Sequence, residues 1–236
     1  VVTSTICDTG FCAARWSADG GWEIIGKTSQ RVHTIAFDGA DRVYFGGDFT
    51  SVTQTDGSSF GAAFLAWYDA STQTWADPSP ELAAGSFDYV ADVVPDGNGG
   101  VYVAGRFTEL SDNSLFLSDV AAFDGSTWSA LGDGDSATTN GLAAPSLSLA
   151  VDGTDLYVGG AFQKAYASGG SSIATNRVAR WDGSTWNALG DPSNTSMNGV
   201  SGLVHHLAVG PAGDVYAAGQ FEQGFQSDGT TVSARY

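Results

Sequence analysis

The polar groups best suited to acid–base or metal chemistry recur at one position of a repeated strand. That position holds Thr34, Asp92, Ser148 and His206, so it offers one carboxylate and one imidazole between two hydroxyls. If the four strands surround one axis, these side chains share one level of a central channel. A metal site normally needs three or more His, Cys, Asp or Glu ligands. The set therefore favours a hydrated polar channel over a metal centre or a proton relay.

Acidic turns are the second group with possible chemistry. Asp38 with Asp41, and Asp152 with Asp155, flank short turns and could bind Ca²⁺ through carboxylate and carbonyl oxygens. Neither pair has the spacing of a twelve-residue EF-hand loop. Asp and Gly also favour tight turns by themselves, because they tolerate the backbone angles that such turns need. Turn chemistry is therefore the favoured interpretation, and Ca²⁺ is the one cofactor that the sequence suggests.

These residues belong to a repeat marked by a strand that ends in two small residues, an arbitrary residue and a phenylalanine. The first small residue is glycine or alanine, and the second is always glycine: Gly47, Gly105, Gly160 and Gly219. Successive copies are separated by 58, 55 and 59 residues. A fixed period of this kind is typical of architectures built from one repeated supersecondary unit.

Each repeat is predicted to hold four antiparallel strands, named here a, b, c and d. The a–b and c–d turns are short, whereas the b–c connections are long: 50–61, 108–117, 163–174 and 222–231. Four-stranded sheets repeated radially are β-propeller blades, which leave only short edges exposed. We therefore predict an all-β fold, a β-propeller of four-stranded antiparallel blades. Because rigid scaffolds usually bind through their loops, the side with the long connections is the candidate binding surface.

The propeller repeats are predicted to span 11–236, after an irregular lead-in at 1–10. We expect the c strands to begin at Phe11, Ala62, Leu117, Arg177 and Val232. The chain would then carry about four blades and start with a c–d pair without its own a and b. Either the two ends interlock to close a blade, or the chain is part of a larger propeller. The second is favoured, because Tyr236 is not followed by the Asp-Gly-x-x-Trp of other copies.

Composition limits the partners. The formal charge of −17 comes from 26 acidic and 9 basic side chains, which excludes nucleic acid and anionic membranes as main partners. No apolar run approaches the roughly 18 residues of a membrane span, so we predict no membrane insertion.

Cys7 and Cys12 are close enough for a small-loop disulfide, which indicates an oxidising compartment. We therefore expect an extracellular or cell-surface location.

One copy carries a recognisable family pattern. Gly46-Gly47 ends a strand, and Tyr68 is separated from Trp75 by six residues. This pattern resembles a kelch repeat, and the form with Arg-Trp-Asp-Gly-Ser-Thr-Trp is also similar to propeller repeats of secreted bacterial and fungal surface proteins. The resemblance covers about residues 11–236 and implies a β-propeller. It implies no single function, because kelch-like propellers serve as enzymes, adaptors and structural parts.

The repeated aromatic and arginine positions have a structural and a functional interpretation. Tryptophans could be sugar platforms, but their regular place in the repeat favours packing between neighbouring blades; they are Trp16, Trp22, Trp67, Trp75, Trp128, Trp181 and Trp186. Arg15, Arg180 and Arg235 share one position, which is Ala66 and Ala122 elsewhere. They could bind a carboxylate substrate, but pairs with carboxylates of a neighbouring blade, such as Asp19 or Asp182, are favoured.

These observations lead to a binding or assembly module rather than an enzyme, with other protein chains or surface glycans as partners. The first alternative is a carbohydrate-binding propeller, for which the aromatic candidates on the long connections are Phe60, Phe116, Tyr166 and Phe225. The second alternative is a propeller-fold glycoside hydrolase or oxidase. We see no convergent acid, base and nucleophile that would support it.

Overall fold

The computed structural model describes residues 10–83, 85–136, 138–191, 194, 196 and 198–233. Within these residues the fold is all-β, as predicted, apart from a 3-10 helix at Ser168–Gly170. No helix in this part of the chain is long and apolar enough to cross a membrane. Cys7 lies outside the described residues, so its disulfide with Cys12 stays a prediction. The lead-in at 1–10 is described only at Gly10.

Twenty-two strands alternate with turns along the described chain. In order they are β1 (Phe11–Ser17), β2 (Gly21–Thr28), β3 (Val32–Phe37), β4 (Arg42–Gly47), β5 (Ser51–Gln54), β6 (Ser59–Gly61), β7 (Leu65–Asp69), β8 (Thr74–Ala76), β9 (Tyr89–Pro95), β10 (Val101–Arg106), β11 (Val120–Phe123), β12 (Trp128–Ala130), β13 (Ser146–Asp152), β14 (Asp155–Gly160), β15 (Lys164–Tyr166), β16 (Ser172–Ala174), β17 (Val178–Trp181), β18 (Trp186–Ala188), β19 (Leu203–Val209), β20 (Val215–Gln220), β21 (Gln223–Phe225) and β22 (Thr231–Ser233).

The strands form seven antiparallel sheets, four of them four-stranded. Sheet II (β3-β4-β7-β8), sheet III (β9-β10-β11-β12) and sheet IV (β13-β14-β17-β18) each follow the predicted a-b-c-d order. Sheet I is β1-β2-β5-β6, and sheet V is the pair β19-β20. The a strands β3, β9, β13 and β19 pack against one another in sequence. Antiparallel pairing puts every b–c connection at one end of the sheets, which we name the loop side.

The long b–c connections were expected to be loops, and three of them contain hairpins instead. They are β5-β6, β15-β16 and β21-β22. The Asp56 and Asp228 carboxylates each accept the backbone N–H two residues later, which closes the turn between the paired strands. In 108–117 the pairing shrinks to one bridge between Glu109 and Phe116. The hairpin β5-β6 also extends β2, so sheet I gains two strands that the repeat pattern did not predict.

Three c strands begin later than predicted, for a backbone reason. The expected starts were Ala62, Leu117 and Arg177, and the observed starts are Leu65, Val120 and Val178. The residue just before each observed start has a positive φ: Phe64 at 68°, Asp119 at 71° and Arg177 at 78°. A residue with left-handed backbone angles cannot continue a strand, so strand c begins only at the residue that follows it. Strand β1 begins at Phe11, whereas Val232 lies inside β22 and pairs with β21.

The second glycine of the repeat and the left-handed residue form a reciprocal backbone contact, named here the glycine clamp. In sheet III the Gly105 N–H donates to the Asp119 carbonyl at 3.1 Å, and the Asp119 N–H donates to the Phe107 carbonyl at 2.8 Å. The same pair of bonds recurs in sheets II and IV. A Cβ on Gly105 would collide with the carbonyl oxygen of Tyr89 at the start of strand a. This close approach of strand a explains why the glycine never varies between copies.

The first small residue faces a different neighbour. A Cβ on Gly159 would lie 2.6 Å from Val204 Cγ1, which belongs to a side chain rather than to backbone. Side chains can shift where a neighbouring backbone cannot. This difference explains why Ala104 and Ala218 replace the first glycine in two copies, with Ala104 fully buried.

Tryptophans join neighbouring sheets, as predicted, through a specific hydrogen bond. Trp75, Trp128 and Trp186 are buried on the d strands. Each indole N–H donates to a carbonyl in or after the d strand of the preceding sheet: Ile25 within β2 at 2.7 Å, Pro80 after β8 at 2.9 Å and Leu131 after β12 at 2.7 Å. We name this contact the indole latch. Each latch places an aromatic ring between two sheets and satisfies its polar group there.

The prediction of packed tryptophans is wrong for sheet I. Trp16 is 61% exposed and Trp22 is 76% exposed. Both lie on β1 and β2, which have no preceding sheet among the described residues. Trp67 and Trp181 are half-buried and pack against the cores between sheets.

Strand pairing also corrects the alignment of the second copy by one residue. Tyr68 pairs with Trp75, as Phe123 pairs with Trp128 and Trp181 with Trp186. Trp67 therefore occupies the position of the repeated arginine, where Ala66 was expected. Arg235 lies outside the described residues, and the other two arginines pair with carboxylates of their own sheet rather than of a neighbouring one. Arg15 Nε lies 2.7 Å from Glu23, and Arg180 lies 3.2 Å from Asp155, each within its own sheet.

The glycine clamp predicts unequal effects of two similar substitutions. Gly105→Ala should lower the free energy of unfolding by about 1–3 kcal/mol, because the new methyl meets fixed backbone. Gly159→Ala should cost less than half as much, because it meets side chains. Urea unfolding followed by tryptophan fluorescence measures both values. Equal losses in the two variants would contradict the clamp.

Candidate functional site

The predicted channel residues form a chain of hydrogen bonds between neighbouring a strands. The Thr34 hydroxyl donates to Asp92 Oδ1 at 3.1 Å, and the Leu149 N–H donates to Asp92 Oδ2 at 2.8 Å. One sheet further on, the Leu207 N–H donates to the Ser148 hydroxyl at 3.0 Å. The structure therefore brings Thr34, Asp92 and Ser148 into one line that ties sheets II to V.

Both oxygens of the Asp92 carboxyl accept hydrogen bonds in this chain of contacts. Burial raises its pKa, and hydrogen bonds from the Leu149 N–H and the Thr34 hydroxyl oppose that rise. His206 lies on β19 with an exposed side chain. Within the described residues no group of three or more His, Cys, Asp or Glu could hold a metal ion. The arrangement can link strands, and a role for these residues as channel lining stays a prediction.

The proposed Ca²⁺ pairs take part in turn and strand contacts. Asp38 Oδ1 accepts the Ala40 N–H at 2.8 Å and the Arg42 N–H at 3.2 Å. Asp41 accepts a backbone N–H through its carbonyl. Asp152 and Asp155 face each other at the start of the β13-β14 ladder, and Asp155 also binds an arginine. These contacts account for the acidic residues as turn formers, and Ca²⁺ binding stays untested.

The c–d turns use the same chemistry with more donors. Asp69, Asp124 and Asp182 each accept two backbone N–H groups and at least one hydroxyl from the two or three residues that follow. These bonds favour the ionised carboxylate. They lower the pKa of Asp69 to about 2 and lower the pKa of Asp124 and of Asp182 further. The end opposite the loop side is therefore a set of permanently charged, internally satisfied turns.

The loop side has a cleft at each junction between consecutive sheets from II to V. The clefts enclose about 470 Å³ between sheets II and III, 230 Å³ between III and IV, and 740 Å³ between IV and V. Each cleft is lined by the left-handed residue of its glycine clamp: Phe64, Asp119 and Arg177 in turn. The same backbone position thus holds a buried apolar side chain at the first cleft, and a half-buried acidic and a half-buried basic side chain at the other two.

The II/III cleft combines ion pairs with an exposed ring. Arg31 lies 2.9 Å from Asp48 Oδ2, and His33 Nε2 lies 3.7 Å from the same oxygen. On the opposite wall Phe87 is 74% exposed, and the Arg106 guanidinium lies 5.9 Å from its ring centre. An exposed aromatic beside paired charges is a composition suited to protein recognition.

The III/IV cleft holds the most perturbed carboxyl. Burial raises the pKa of Asp119 to about 7; the Phe107 N–H and Arg106 oppose the rise, and Asp88 adds to it. Asn140 lines the same cleft, is 1% exposed, and has a buried Oδ1 without a protein hydrogen-bond partner. Its Nδ2 donates to the Phe116 carbonyl. This cleft therefore offers an uncommitted acceptor beside a carboxyl that titrates near neutrality.

The IV/V cleft is the most basic. Lys164 and Arg177 line it with Gln163, Asn176 and Phe225, and none of its lining residues is acidic. Arg177 also donates to the Ala161 carbonyl. Two of the nine basic residues of an acidic chain thus line one cleft.

The four predicted aromatic residues are all half-buried on the b–c connections. Tyr166 lines the III/IV cleft and Phe225 lines the IV/V cleft. Phe60 instead packs against the core between sheets I and II. Phe116 bridges to Glu109 through its backbone. The structure therefore brings two of the four to clefts and leaves the other two in structural positions.

Sequence reasoning did not single out the left-handed residues or Asn140. The left-handed position carries three unrelated residue types, so no pattern of letters marks it. A signal was present in its fixed place just before strand c, after the phenylalanine of each copy. No protein-family model and no curated protein matches the chain.

Asp119 should make stability depend on pH in a specific direction. Its folded pKa near 7 lies above the unfolded value of about 3.9. The folded state therefore binds more protons across this window, and Asp119 reduces stability as pH rises from about 4 to about 7. Asp119→Asn keeps an oxygen for the Phe107 N–H and removes the charge. It should melt at a higher temperature than the original chain at pH 8, with the difference shrinking toward pH 4.

Melting curves at several pH values measure this difference, and Asp41→Asn, which changes a carboxyl outside this cleft, serves as the control. A constant difference between Asp119→Asn and the original chain at all pH values would contradict a raised pKa at Asp119.

Proposed function

We propose that the chain is a kelch-like β-propeller segment that acts as a binding or assembly module in an extracellular or cell-surface setting. Three sheets in a-b-c-d order, a strands packed side by side and indole latches between sheets support the propeller. The double-glycine strand and the Tyr68…Trp75 pair support the kelch-like assignment. Both assignments rest on the repeat in the sequence and on the sheets that this repeat forms.

One observation carries the binding role. The glycine clamp fixes the backbone identically in three sheets, while the residue that it holds changes from the buried Phe64 to the half-buried Asp119 and Arg177. A constant frame with a varied side chain is the arrangement by which rigid scaffolds present recognition surfaces. A catalytic site would instead need one convergent set of groups, and the three residues line three separate clefts.

Protein chains are the favoured partners. The II/III cleft offers an exposed phenylalanine and arginines, which are residue types enriched at protein interfaces. The charge of −17 would direct such a module toward basic or neutral partners. The same charge argues against nucleic acid and anionic membranes.

Carbohydrate binding is the second candidate, favoured by the III/IV cleft. Tyr166, the unpartnered Asn140 Oδ1, the Asp119 carboxyl and hydroxyls of Thr108 and Ser118 converge there. An aromatic ring with several acceptors and hydroxyls suits the apolar faces and hydroxyls of a sugar. The small volume would admit one ring rather than an extended chain.

A random peptide library displayed on phage tests the first candidate. Selected peptides should lose about tenfold in affinity when Asp119 or Arg177 becomes alanine, the size of a moderate interface truncation. They should keep their affinity for Asn98→Ala, which changes the opposite end of the sheets. Peptides that are insensitive to both loop-side variants would contradict the loop side as the recognition surface.

A glycan array with the original chain, Tyr166→Ala and Phe87→Ala tests the second candidate. Glycans retained by Phe87→Ala and lost by Tyr166→Ala would place sugar binding in the III/IV cleft. An array without retained glycans would count against it. Turnover in a panel of glycosides and esters, with and without Ca²⁺, would contradict the non-enzymatic proposal.

A further inference from the structure

The III/IV cleft, between two complete four-stranded sheets, contains a half-buried carboxyl without a cation to balance its charge. Asp119 lines the cleft, and burial is the main cause of its raised pKa. Arg106 opposes this rise, but its ion pair is formed with Asp88, at 3.9 Å. A charge that is withdrawn from water is costly unless it is paired, so an ionised Asp119 favours a cation in the cleft.

Two acceptor oxygens of the cleft are available to a ligand. Oδ1 of Asp119 accepts the Phe107 N–H at 3.3 Å, and no described residue donates a hydrogen bond to its Oδ2. Asn140 is 1% exposed, its Nδ2 donates to the Phe116 carbonyl, and its Oδ1 has no partner among the described residues. A Cβ on Gly132 would lie 2.9 Å from that Oδ1, so the glycine leaves space beside it.

The backbone donors around the cleft are already used. Five lining residues donate their N–H groups to backbone carbonyls: Ser118, Asp119, Leu142, Ala143 and Tyr166. The side-chain hydroxyls of Thr108, Ser118 and Thr138 can each turn a lone pair or a proton to a ligand. An ammonium group has three donors and no acceptor, so it matches a cleft that is rich in acceptors.

The IV/V cleft has the same frame with the opposite charge. Asn198 repeats Asn140: it is 1% exposed, its Nδ2 donates to the Ala174 carbonyl at 2.9 Å, and its Oδ1 has no partner in the described part of the chain. Arg177 lines this cleft at the position that Asp119 has in the III/IV cleft. The asparagine therefore belongs to the common frame, and the residue at the clamp position sets the charge of the ligand.

We propose that the III/IV cleft binds the side-chain ammonium group of a lysine on a partner protein. The ammonium group pairs with the Asp119 carboxylate and donates a hydrogen bond to Asn140 Oδ1. Tyr166 adds an aromatic ring to the cleft, which favours a cation further. The proposal rests on the proposed function, because it names the residue that a protein partner would place in one cleft.

Three other ligands match the cleft less well. A neutral sugar would leave the carboxylate unpaired. Ca²⁺ takes six to eight oxygen ligands, and within the described residues no three His, Cys, Asp or Glu side chains form a cluster. A guanidinium group is best bound by both oxygens of a carboxylate, and one oxygen of Asp119 already accepts the Phe107 N–H. A cleft of about 230 Å³ holds the compact ammonium group and its flexible stem.

Titration with Nα-acetyl-lysine methylamide tests the proposal. The ¹³C NMR signal of the Asp119 carboxyl, assigned by its absence in Asp119→Asn, should shift at millimolar concentrations of this probe. The Nε-acetylated probe keeps the length and loses the charge, so it should leave the signal in place.

Lysine binding should also depend on pH, because only the ionised carboxyl pairs with the probe. The pKa of Asp119 is about 7, so affinity should be about tenfold higher at pH 8 than at pH 6, while the lysine probe stays charged. The charged and titratable groups that act on Asp119 from neighbouring elements are Arg106, Asp88 and Tyr89. The same affinity at both pH values would contradict pairing with Asp119.

Two variants that each remove one negative charge separate the cleft from the overall charge of the chain. Asp119→Asn should weaken binding of the lysine probe at least ~10-fold, as expected for a lost partner of a half-buried charge pair. Asp41→Asn, in a turn at the opposite end of the sheets, should leave the affinity unchanged. Circular dichroism of both variants checks that the fold is kept. Equal weakening in the two variants would overturn the proposal.

Tighter binding of glucose, glucosamine or Ca²⁺ than of the lysine probe, measured on the same carboxyl signal, would also overturn it. The outcome is distinguishable from failure of the proposed function. Phage-selected peptides that need the loop side and carry no lysine would overturn the lysine site and leave the binding module in place.

Discussion

The structure depends on the close approach of two backbones at the second glycine of each copy. There the b strand meets the start of strand a so tightly that a Cβ would strike a carbonyl oxygen. The glycine N–H donates to the carbonyl of the left-handed residue. The N–H of the left-handed residue donates to the carbonyl of the phenylalanine that lies two residues after the glycine. One missing side chain thus sets the b–c geometry, the start of strand c and the residue that faces the cleft.

Most of the sheet architecture was predictable because its causes are local and repeated. Glycine spacing and short Asp-Gly turns correctly indicated sheets II, III and IV. The hairpins within the b–c connections were not predicted, although Asp56-Gly57 is itself a turn signal. Their short strands are rich in polar residues, so they lack the clear alternation of apolar and polar residues that predicts a strand. The one-residue error at Trp67 arose because the turn between Tyr68 and Trp75 is two residues longer than its counterparts. Strand pairing, which sequence spacing does not show, resolves it.

Less of the candidate site could be read from sequence. The line of Thr34, Asp92 and Ser148 was found by alignment alone, because these residues share a strand position. The cleft residues were not, because Phe64, Asp119 and Arg177 share a backbone angle rather than a chemical type. The exposure of Trp22 likewise depends on which sheet stands next to it, which no local pattern records. The sequence repeat therefore predicts the backbone arrangement well, and it predicts poorly which side chains line the clefts.

Each indole latch reaches only the sheet immediately before it, and this has a mechanical consequence. In an extended chain each junction would be loaded through its latch together with the packed core and the a-strand hydrogen bonds that join the same two sheets. Such a series of junctions yields one unit at a time, so extension would release chain in steps of one repeat. The molecule would then lengthen stepwise under tension, because each broken junction releases the chain of one repeat and lowers the load on the remaining junctions.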